Sequence, residues 1–198
     1  MARLDTTLPH ANIDPDGLLE YSVVYTDRAL NHMSKTFQTV MTDLSSLLKN
    51  LYKADAVAIV PGSGTFGMEA VARCFAKDSD VVIIRNGWFS YRWTQILDAA
   101  NIAKSSQVFK ANYELIDNKA FFEPADVSQV TEFIKTHRPK VVFAPHVETA
   151  SGMMLTDDYI KALADAVHEV GGILIIDCIA SGCIWLDMKA LGIDVLLS

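Results

Sequence analysis

The sequence has no long hydrophobic run and no cluster of basic residues. None of its apolar stretches approaches the length of a membrane-spanning helix, and the opening residues MARLDTTLPH contain no apolar signal region. The formal net charge is −7, which argues against binding to nucleic acid. We therefore expect neither a membrane nor a nucleic acid as the partner of this protein.

Cysteine is also scarce. Cys74, Cys178 and Cys183 are an odd number without the spacing of a disulfide framework, and such usage is typical of a reducing compartment. Hydrophobic residues make up 51% of the 198 residues and charged residues 21%, which is the composition of a globular protein. These values predict one large cytoplasmic domain.

The pattern of the chain changes near residue 25. Residues 1–25 are irregular, and residues 26–198 are predicted to form the domain. Apolar residues at three- and four-residue steps predict a long amphipathic helix. These residues are Leu30, Met33, Phe37, Val40, Leu44, Leu47 and Leu51.

Short apolar runs then alternate with segments of helical period. The runs lie at 56–60, 81–84, 141–144, 173–176 and 195–197, with a weaker one at 107–109, and the clearest helical pattern covers 157–170. Continuous apolar strands between helices predict an α/β fold, a mostly parallel sheet with helices on both faces. Ligands of such sheets bind beyond the carboxyl ends of the strands. The segments PGSGT, RNGWF, PHVETASG and DCIASG follow these ends.

The segment GSGTFG has glycines in a G-x-G-x-x-G pattern, at Gly62, Gly64 and Gly67. Free N–H groups at the helix start that follows could hold a phosphate. A dinucleotide site would also place an acid at the end of the next strand, where Arg85 stands instead. The residues favour a cup for a monophosphate, with a dinucleotide as the weaker alternative and a simple packing turn as a third.

Two acidic positions follow strands. His146-Val147-Glu148 matches the H-x-E of zinc deaminases, but the P-C-x-x-C of that site is missing, so we expect no metal. Asp177 closes the run GGILIID, and a buried carboxylate is costly unless a cation or strong donors pair with it. Asp177 either caps the following turn or pairs with a cation of a ligand, such as a protonated pyridine nitrogen.

Other strand-end residues suit a flat ring. An aromatic side chain at position 88 or 89 could stack on the ring, and Thr149 and Ser151 offer hydroxyls to its substituents. A phosphate cup, a stacking ring, a hydroxyl and a carboxylate for a ring nitrogen together match pyridoxal 5′-phosphate (PLP).

Four segments then resemble a known family: PGSGTFGMEA, NGWFSYRW, HVETASGMM and IIDCIASGCIWLDMKALGIDVLLS. They are similar, over about residues 55–198, to the large domain of class V PLP-dependent aminotransferases of fold type I (the aspartate aminotransferase-like fold), in particular the alanine/serine–glyoxylate group. The resemblance implies a homodimer that transfers an amino group from an amino acid to a small 2-oxo acid, glyoxylate or pyruvate.

The resemblance also implies the cofactor contacts. Ser63, Gly64 and Thr65 would hold the phosphate. The other implied contacts are the two ring faces, the phenolic oxygen and the catalytically important ring nitrogen. Phe89 and Ile179 would pack on the two ring faces, Thr149 would bond the phenolic oxygen, and Asp177 would pair with the ring nitrogen.

Two departures from the family pattern lie at the termini. The N-terminal segment lacks the family's Gly-Pro-bearing stretch. The family's Schiff-base lysine follows the strand that ends here at Ser198, so we expect that lysine within about five residues beyond Ser198, and a C-terminal small domain outside this chain. The loops after Asp177 and Ser198 should be neighbours in the crevice.

Three alternatives remain open. Two use the same scaffold: 2-aminoethylphosphonate–pyruvate transamination, and a lyase or desulfurase. The third is a nucleotide-binding α/β module without catalysis.

Overall fold

The computed structural model describes residues 35–198, beginning with helix α1, Lys35–Tyr52. The predicted amphipathic helix is confirmed over this part, whereas Leu30 and Met33 lie outside the described residues. A boundary between two compact units falls within α1, between Leu48 and Lys49. The irregular segment predicted at 1–25 also lies outside the described part, and a division of the chain at residue 25 stays a prediction.

The second unit, Lys49–Ser198, is built on a five-stranded parallel sheet. Its elements, in chain order, are α2 (Gly64–Phe75), β1 (Asp80–Arg85), α3 (Tyr91–Ala99), β2 (Ser105–Lys110), β3 (Asn112–Ile116), β4 (Lys119–Glu123), α4 (Val127–His137), β5 (Val141–Pro145), β6 (Val147–Glu148), β7 (Met153–Met154), α5 (Asp157–Glu169), β8 (Ile173–Asp177), α6 (Met188–Leu191) and β9 (Val195–Leu197). The strand order is β2-β1-β5-β8-β9, and every adjacent pair is parallel. Two short antiparallel hairpins, β3–β4 and β6–β7, stand beside it. The predicted α/β fold is confirmed.

Helices cover both faces of the sheet, as strands that are apolar on both sides require. One face packs on α2 and α3, where the Trp93 ring stacks on Phe143 with ring centroids 4.3 Å apart. The other face packs on α4 and α5, through Ile134 and Leu163 among others. Each such fully buried side chain contributes about 1.5–3 kcal/mol relative to an exposed one. This two-sided core holds the carboxyl ends of the strands in fixed positions.

The clearest predicted helix is confirmed as α5. Its N-cap is Thr156, whose Oγ1 accepts a hydrogen bond from the Tyr159 N–H at 3.2 Å. It is followed by Gly171 in the left-handed conformation, at φ +78°. The weaker run at 107–109 is confirmed as part of β2. No helix between residues 35 and 198 is both long and apolar enough to cross a bilayer.

The prediction of a strand at 56–60 is wrong. In the described part of the chain this run pairs with no strand, and Ile59 and Val60 keep 46% and 45% of their surface exposed. A strand needs the N–H and C=O groups of a neighbour, and neither edge of the sheet, β2 or β9, pairs with this run. Apolar and β-branched residues favour a strand, but they do not form one without a neighbouring strand to pair with.

Candidate functional site

A cleft of about 360 Å³ opens at the carboxyl edge of the sheet. Its walls come from the start of α2, the loop after β1 with the first turn of α3, the loop after β5, and the end of β8. The lining residues are Gly64, Thr65, Met68, Phe89, Arg92, Val147, Thr149, Asp177, Ile179 and Ala180. All the site residues predicted from the sequence are among them except Ser63, which directly precedes Gly64.

The glycine-rich loop forms the N-terminus of α2. Ser63 is its N-cap, with no capping bond from its side chain, and its carbonyl accepts from the Phe66 N–H at 2.9 Å. Gly62 has φ +149°, a conformation that side chains disfavour, and a Cβ at Gly64 would overlap Ile179 Cδ1. The first N–H groups of a helix lack intrahelical partners and carry partial positive charge. This end of the cleft therefore suits an anion.

Arg92 adds a full positive charge beside that loop. Its Nη1 donates a hydrogen bond to Thr65 Oγ1 at 2.7 Å, and both residues line the cleft. Sequence reasoning missed Arg92. A usable signal existed, because Arg92 lies in the first turn of the helix that follows the strand-end segment RNGWF, at the end of the sheet where ligands bind.

Asp177 ends β8 and is 9% exposed. Its Oδ1 accepts a hydrogen bond from the Ile179 N–H at 3.0 Å, whereas Oδ2 has no hydrogen-bond partner and the carboxylate no ion pair within residues 35–198. Burial raises the pKa of Asp177; the bond from Ile179 opposes this rise, and the charge of Glu148 adds to it. Both interpretations of Asp177 are thus compatible: one oxygen caps the turn, and the other remains for a cation in the cleft.

The neighbouring strand ends converge on Asp177. It is in register with Pro145 of β5 on one side and with Leu197 of β9 on the other. The Cys178 N–H donates to the Leu197 carbonyl at 2.7 Å. The ends of β8 and β9 are therefore neighbours, whereas the position of the loop expected after Ser198 stays a prediction.

Of the two candidates for a stacking aromatic, Phe89 lines the cleft and Trp88 does not. Phe89 is half exposed, and the Trp88 ring lies 6.0 Å from that of Tyr91. Of the two candidate hydroxyl residues, Thr149 lines the cleft. Ser151 does not, and its buried hydroxyl has no hydrogen-bond partner in the described chain.

The H-x-E pair serves hydrogen bonding. His146 Nδ1 lies 2.7 Å from Ser181 Oγ, and burial lowers the pKa of this imidazole. Glu148 is fully buried and accepts hydrogen bonds from the loop after β1, through Phe89 and Ser90. Over residues 35–198, no three His, Cys, Asp or Glu side chains form a group that could hold a metal ion. The link between Glu148 and the loop after β1 could not be predicted from the sequence, because its partners in that loop lie 58 and 59 residues away.

Comparison with known structures supports the fold. The ureidoglycine–glyoxylate aminotransferase of Bacillus subtilis superposes with a TM-score of 0.71 at 21% identity, over 86% of this chain and 42% of that one. This likeness confirms the predicted fold class, the large domain of fold type I.

Comparison with known sequences identifies the family. A 2-aminoethylphosphonate–pyruvate transaminase of Vibrio vulnificus is 28% identical over 71% of this chain. An (S)-ureidoglycine–glyoxylate transaminase of B. subtilis is 27% identical over 74%. This chain spans about a third of the length of either protein, 35% and 33%. The family model for class-V aminotransferases matches residues 16–198. The chain therefore belongs to the class-V aminotransferase family.

Proposed function

We propose that this protein is a PLP-dependent aminotransferase that moves an amino group from an amino acid to a small 2-oxo acid such as glyoxylate or pyruvate. Membership of the class-V family implies PLP as the cofactor. The acceptors are those in the names of its relatives, one acting with pyruvate and one with glyoxylate. The observation that carries the proposal is the buried Asp177 carboxylate, which lines the same cleft as the N-terminus of α2.

The residues of the cleft fit this cofactor. Its volume of about 360 Å³ lies within the range of small-molecule sites, about 300–1,000 Å³. One part offers positive charge, from Arg92 and the first turn of α2. Another offers the buried carboxylate of Asp177, one oxygen of which has no partner within residues 35–198. A molecule with a phosphate and a cationic ring nitrogen is complementary to this distribution of charge.

The phosphate would be held at the start of α2. The Gly64 and Thr65 N–H groups would donate to it, and the Ser63 hydroxyl, which makes no capping bond, is free to do the same. Arg92 would supply the compensating charge through a hydrogen bond that charge strengthens. Because Gly64 has no Cβ, Ile179 can approach the loop closely.

The ring would lie between Phe89 and Ile179, which are 50% and 47% exposed and so have apolar surface left to cover. The Thr149 hydroxyl would donate to the phenolic oxygen. Asp177 would accept a hydrogen bond from the protonated ring nitrogen. These contacts use the side chains that the cleft presents and leave the Asp177–Ile179 turn intact.

PLP, when bound, supplies an aldehyde that condenses with amino groups and a ring that accepts the electron pair of the bond broken at the α-carbon. Asp177 holds a proton on the ring nitrogen, which makes that electron pair easier to accept. Its burial strengthens the effect, because an ion pair shielded from water interacts more strongly. Phe89 and Ile179 exclude water from the two ring faces.

One alternative donor has direct support. The Vibrio vulnificus relative is named for 2-aminoethylphosphonate and pyruvate, so an aminophosphonate belongs in any test of donors. A desulfurase would need a nucleophilic cysteine at the cleft. Burial raises the pKa of the Cys178 thiol to about 12, which makes it inert at neutral pH, and the exposed Cys74 and Cys183 are not among the residues that line the cleft.

Assembly, compartment and the covalent lysine are further parts of the proposal. We expect a homodimer, to be tested by sedimentation equilibrium, and a cytoplasmic location, in keeping with three unpaired cysteines. The lysine expected beyond Ser198 stays a prediction. Borohydride reduction followed by peptide mass mapping would identify the lysine that carries the cofactor.

The experiment that tests the function has two stages. The natively expressed protein is titrated with PLP while its absorption spectrum is recorded, and it is then assayed with alanine, serine or 2-aminoethylphosphonate as donor and glyoxylate or pyruvate as acceptor. We expect saturable PLP binding and amino transfer with at least one pair. A protein that binds no PLP, or that binds a nucleotide in the same cleft instead, would support the non-catalytic module.

A further inference from the structure

We propose that Glu148 is a positioning residue that fixes the two loops carrying Phe89 and Thr149 and so sets the shape of the cofactor cleft. The inference rests on the proposed function, since it concerns the binding of PLP. Glu148 itself is not part of the cleft lining, so it would act on the cofactor without touching it.

The carboxylate joins two loops that are distant in sequence. Its Oε2 accepts hydrogen bonds from the Ser90 N–H at 2.9 Å and from Ser90 Oγ at 2.7 Å. Its Oε1 accepts from the Phe89 N–H at 3.2 Å and from the Ala150 N–H at 3.3 Å. Glu148 thus holds Phe89 through the Phe89 backbone N–H. Thr149 lies in the chain between two residues of the network, Glu148 and Ala150.

The charge of Glu148 is balanced by these donors and by no cation. The residue is fully buried, and among residues 35–198 it makes no ion pair. A buried carboxylate is tolerated only when several donors replace water, and here every donor belongs to one of the two loops. Such hydrogen bonds are stronger than those between neutral groups, so they oppose any separation of the loops.

The packing leaves little room for another arrangement. A Cβ at Gly87 would lie 2.7 Å from Glu148 Cγ, so the loop after β1 is in direct contact with this side chain. Glutamine at 148 has nearly the same shape, but its amide nitrogen is a donor and would face N–H or O–H donors. Glu148→Gln therefore removes acceptors from the network without creating a large cavity.

The test measures PLP affinity of the natively expressed protein by absorption titration. We expect Glu148→Gln to weaken binding by about tenfold or more, but by less than about twofold in a background in which Phe89→Ala and Thr149→Ala have removed the side chains it positions. The matched control is Tyr159→Phe, which breaks a buried hydrogen bond remote from the cleft, from Tyr159 Oη to the Ala125 carbonyl at 2.8 Å. It should lower Tm without changing PLP affinity.

Three results would overturn the inference. The first is unchanged PLP affinity in folded Glu148→Gln. The second is an equal loss in the truncated background that disappears when Asp177→Asn is added, because Glu148 would then act through its charge on Asp177. The third is a similar loss of affinity in Tyr159→Phe, which would indicate general destabilisation. If the wild-type protein binds no PLP, the proposed function fails and the inference fails with it, a result distinct from all three.

Discussion

Two cavities of nearly equal size lie at opposite edges of the same sheet. The cleft at the carboxyl edge has a volume of about 360 Å³, and the cavity at the amino edge about 380 Å³. The amino-edge cavity is lined by Lys53, Ala54, Asp55, Ala56, His168, Met188, Lys189, Gly192, Ile193 and Asp194. Volume alone therefore does not single out a functional site in this protein.

The two cavities differ in how their charges are compensated. At the amino edge, Lys189 Nζ lies 2.7 Å from Asp55 Oδ1, and His168 Nε2 lies 2.8 Å from Asp194 Oδ2. The hydrogen bond with Lys189 lowers the pKa of Asp55, and the same bond raises the pKa of Lys189. At the carboxyl edge, Asp177 is buried and has no cationic partner among residues 35–198. Among the described residues, a buried carboxylate without a cationic partner therefore distinguishes the cleft from the amino-edge cavity, whereas volume does not.

The largest expected effect is on catalysis, in Asp177→Asn. Asparagine cannot keep the ring nitrogen protonated, so we expect turnover to fall on the order of 10²–10³-fold, while the phosphate contacts retain PLP. Steady-state kinetics with saturating PLP measures this. Near-normal turnover of the loaded variant would leave Asp177 as a turn cap only.

A smaller effect is expected on cofactor affinity, in Arg92→Gln. Loss of one charge-assisted contact should weaken PLP binding by about tenfold. The matched control is Arg73→Gln, on the exposed surface of α2, where Arg73 Nη2 pairs with Glu69 Oε1 at 2.6 Å. Equal affinities of the two variants would show that Arg92 contributes no charge to the phosphate.

In the cofactor-free protein, the buried Asp177 carboxylate should make the Tm depend on pH. Because burial raises the pKa of Asp177, its contribution to stability is fully present below the unfolded pKa, about 3.9, and is lost as pH rises through the folded pKa. Wild type should therefore lose Tm relative to Asp177→Asn as the pH rises above about 4, at about 2–4 °C per kcal/mol for a chain of this size. Parallel Tm curves would contradict an unpaired carboxylate.

The smallest effects belong to the amino-edge cavity. Lys189→Met and Asp55→Asn break only an exposed ion pair, with Lys189 and Asp55 side chains 64% and 88% exposed. We expect changes within about 0.5 kcal/mol in the free energy of unfolding and none in PLP affinity. A marked loss of PLP affinity in either variant would contradict the claim that only the carboxyl-edge cleft serves the cofactor.

The sequence alone predicted the central strands because each is apolar on both faces. The runs at 81–84, 141–144 and 173–176 could be assigned without knowledge of their neighbours. The run at 56–60 looked the same but lacks a partner strand. The hairpin β3–β4 was missed, because all its residues are exposed and no burial pattern distinguishes it from a loop.

The same distinction applies to the cleft. Asp177 was predicted because it closes an apolar strand, and the rule that ligands bind beyond strand ends needs no three-dimensional information. That rule left the choice between Trp88 and Phe89 open, and Phe89 was predicted from the family resemblance. Arg92 and Glu148 were not, since their roles depend on contacts with residues 27 and 58–59 positions away. The strand-end rule thus locates Asp177, whereas the contacts of Arg92 and Glu148 join segments that are distant in sequence and required the structure.

The central claim is that Asp177 is the partner of a ring cation in the carboxyl-edge cleft. The most direct measurement is the ¹⁵N chemical shift of the ring nitrogen of ¹⁵N-labelled PLP bound to the natively expressed protein, compared with Asp177→Asn at the same neutral pH. We expect a protonated ring nitrogen in wild type and an unprotonated one in the variant. An identical chemical shift in both proteins would contradict the account.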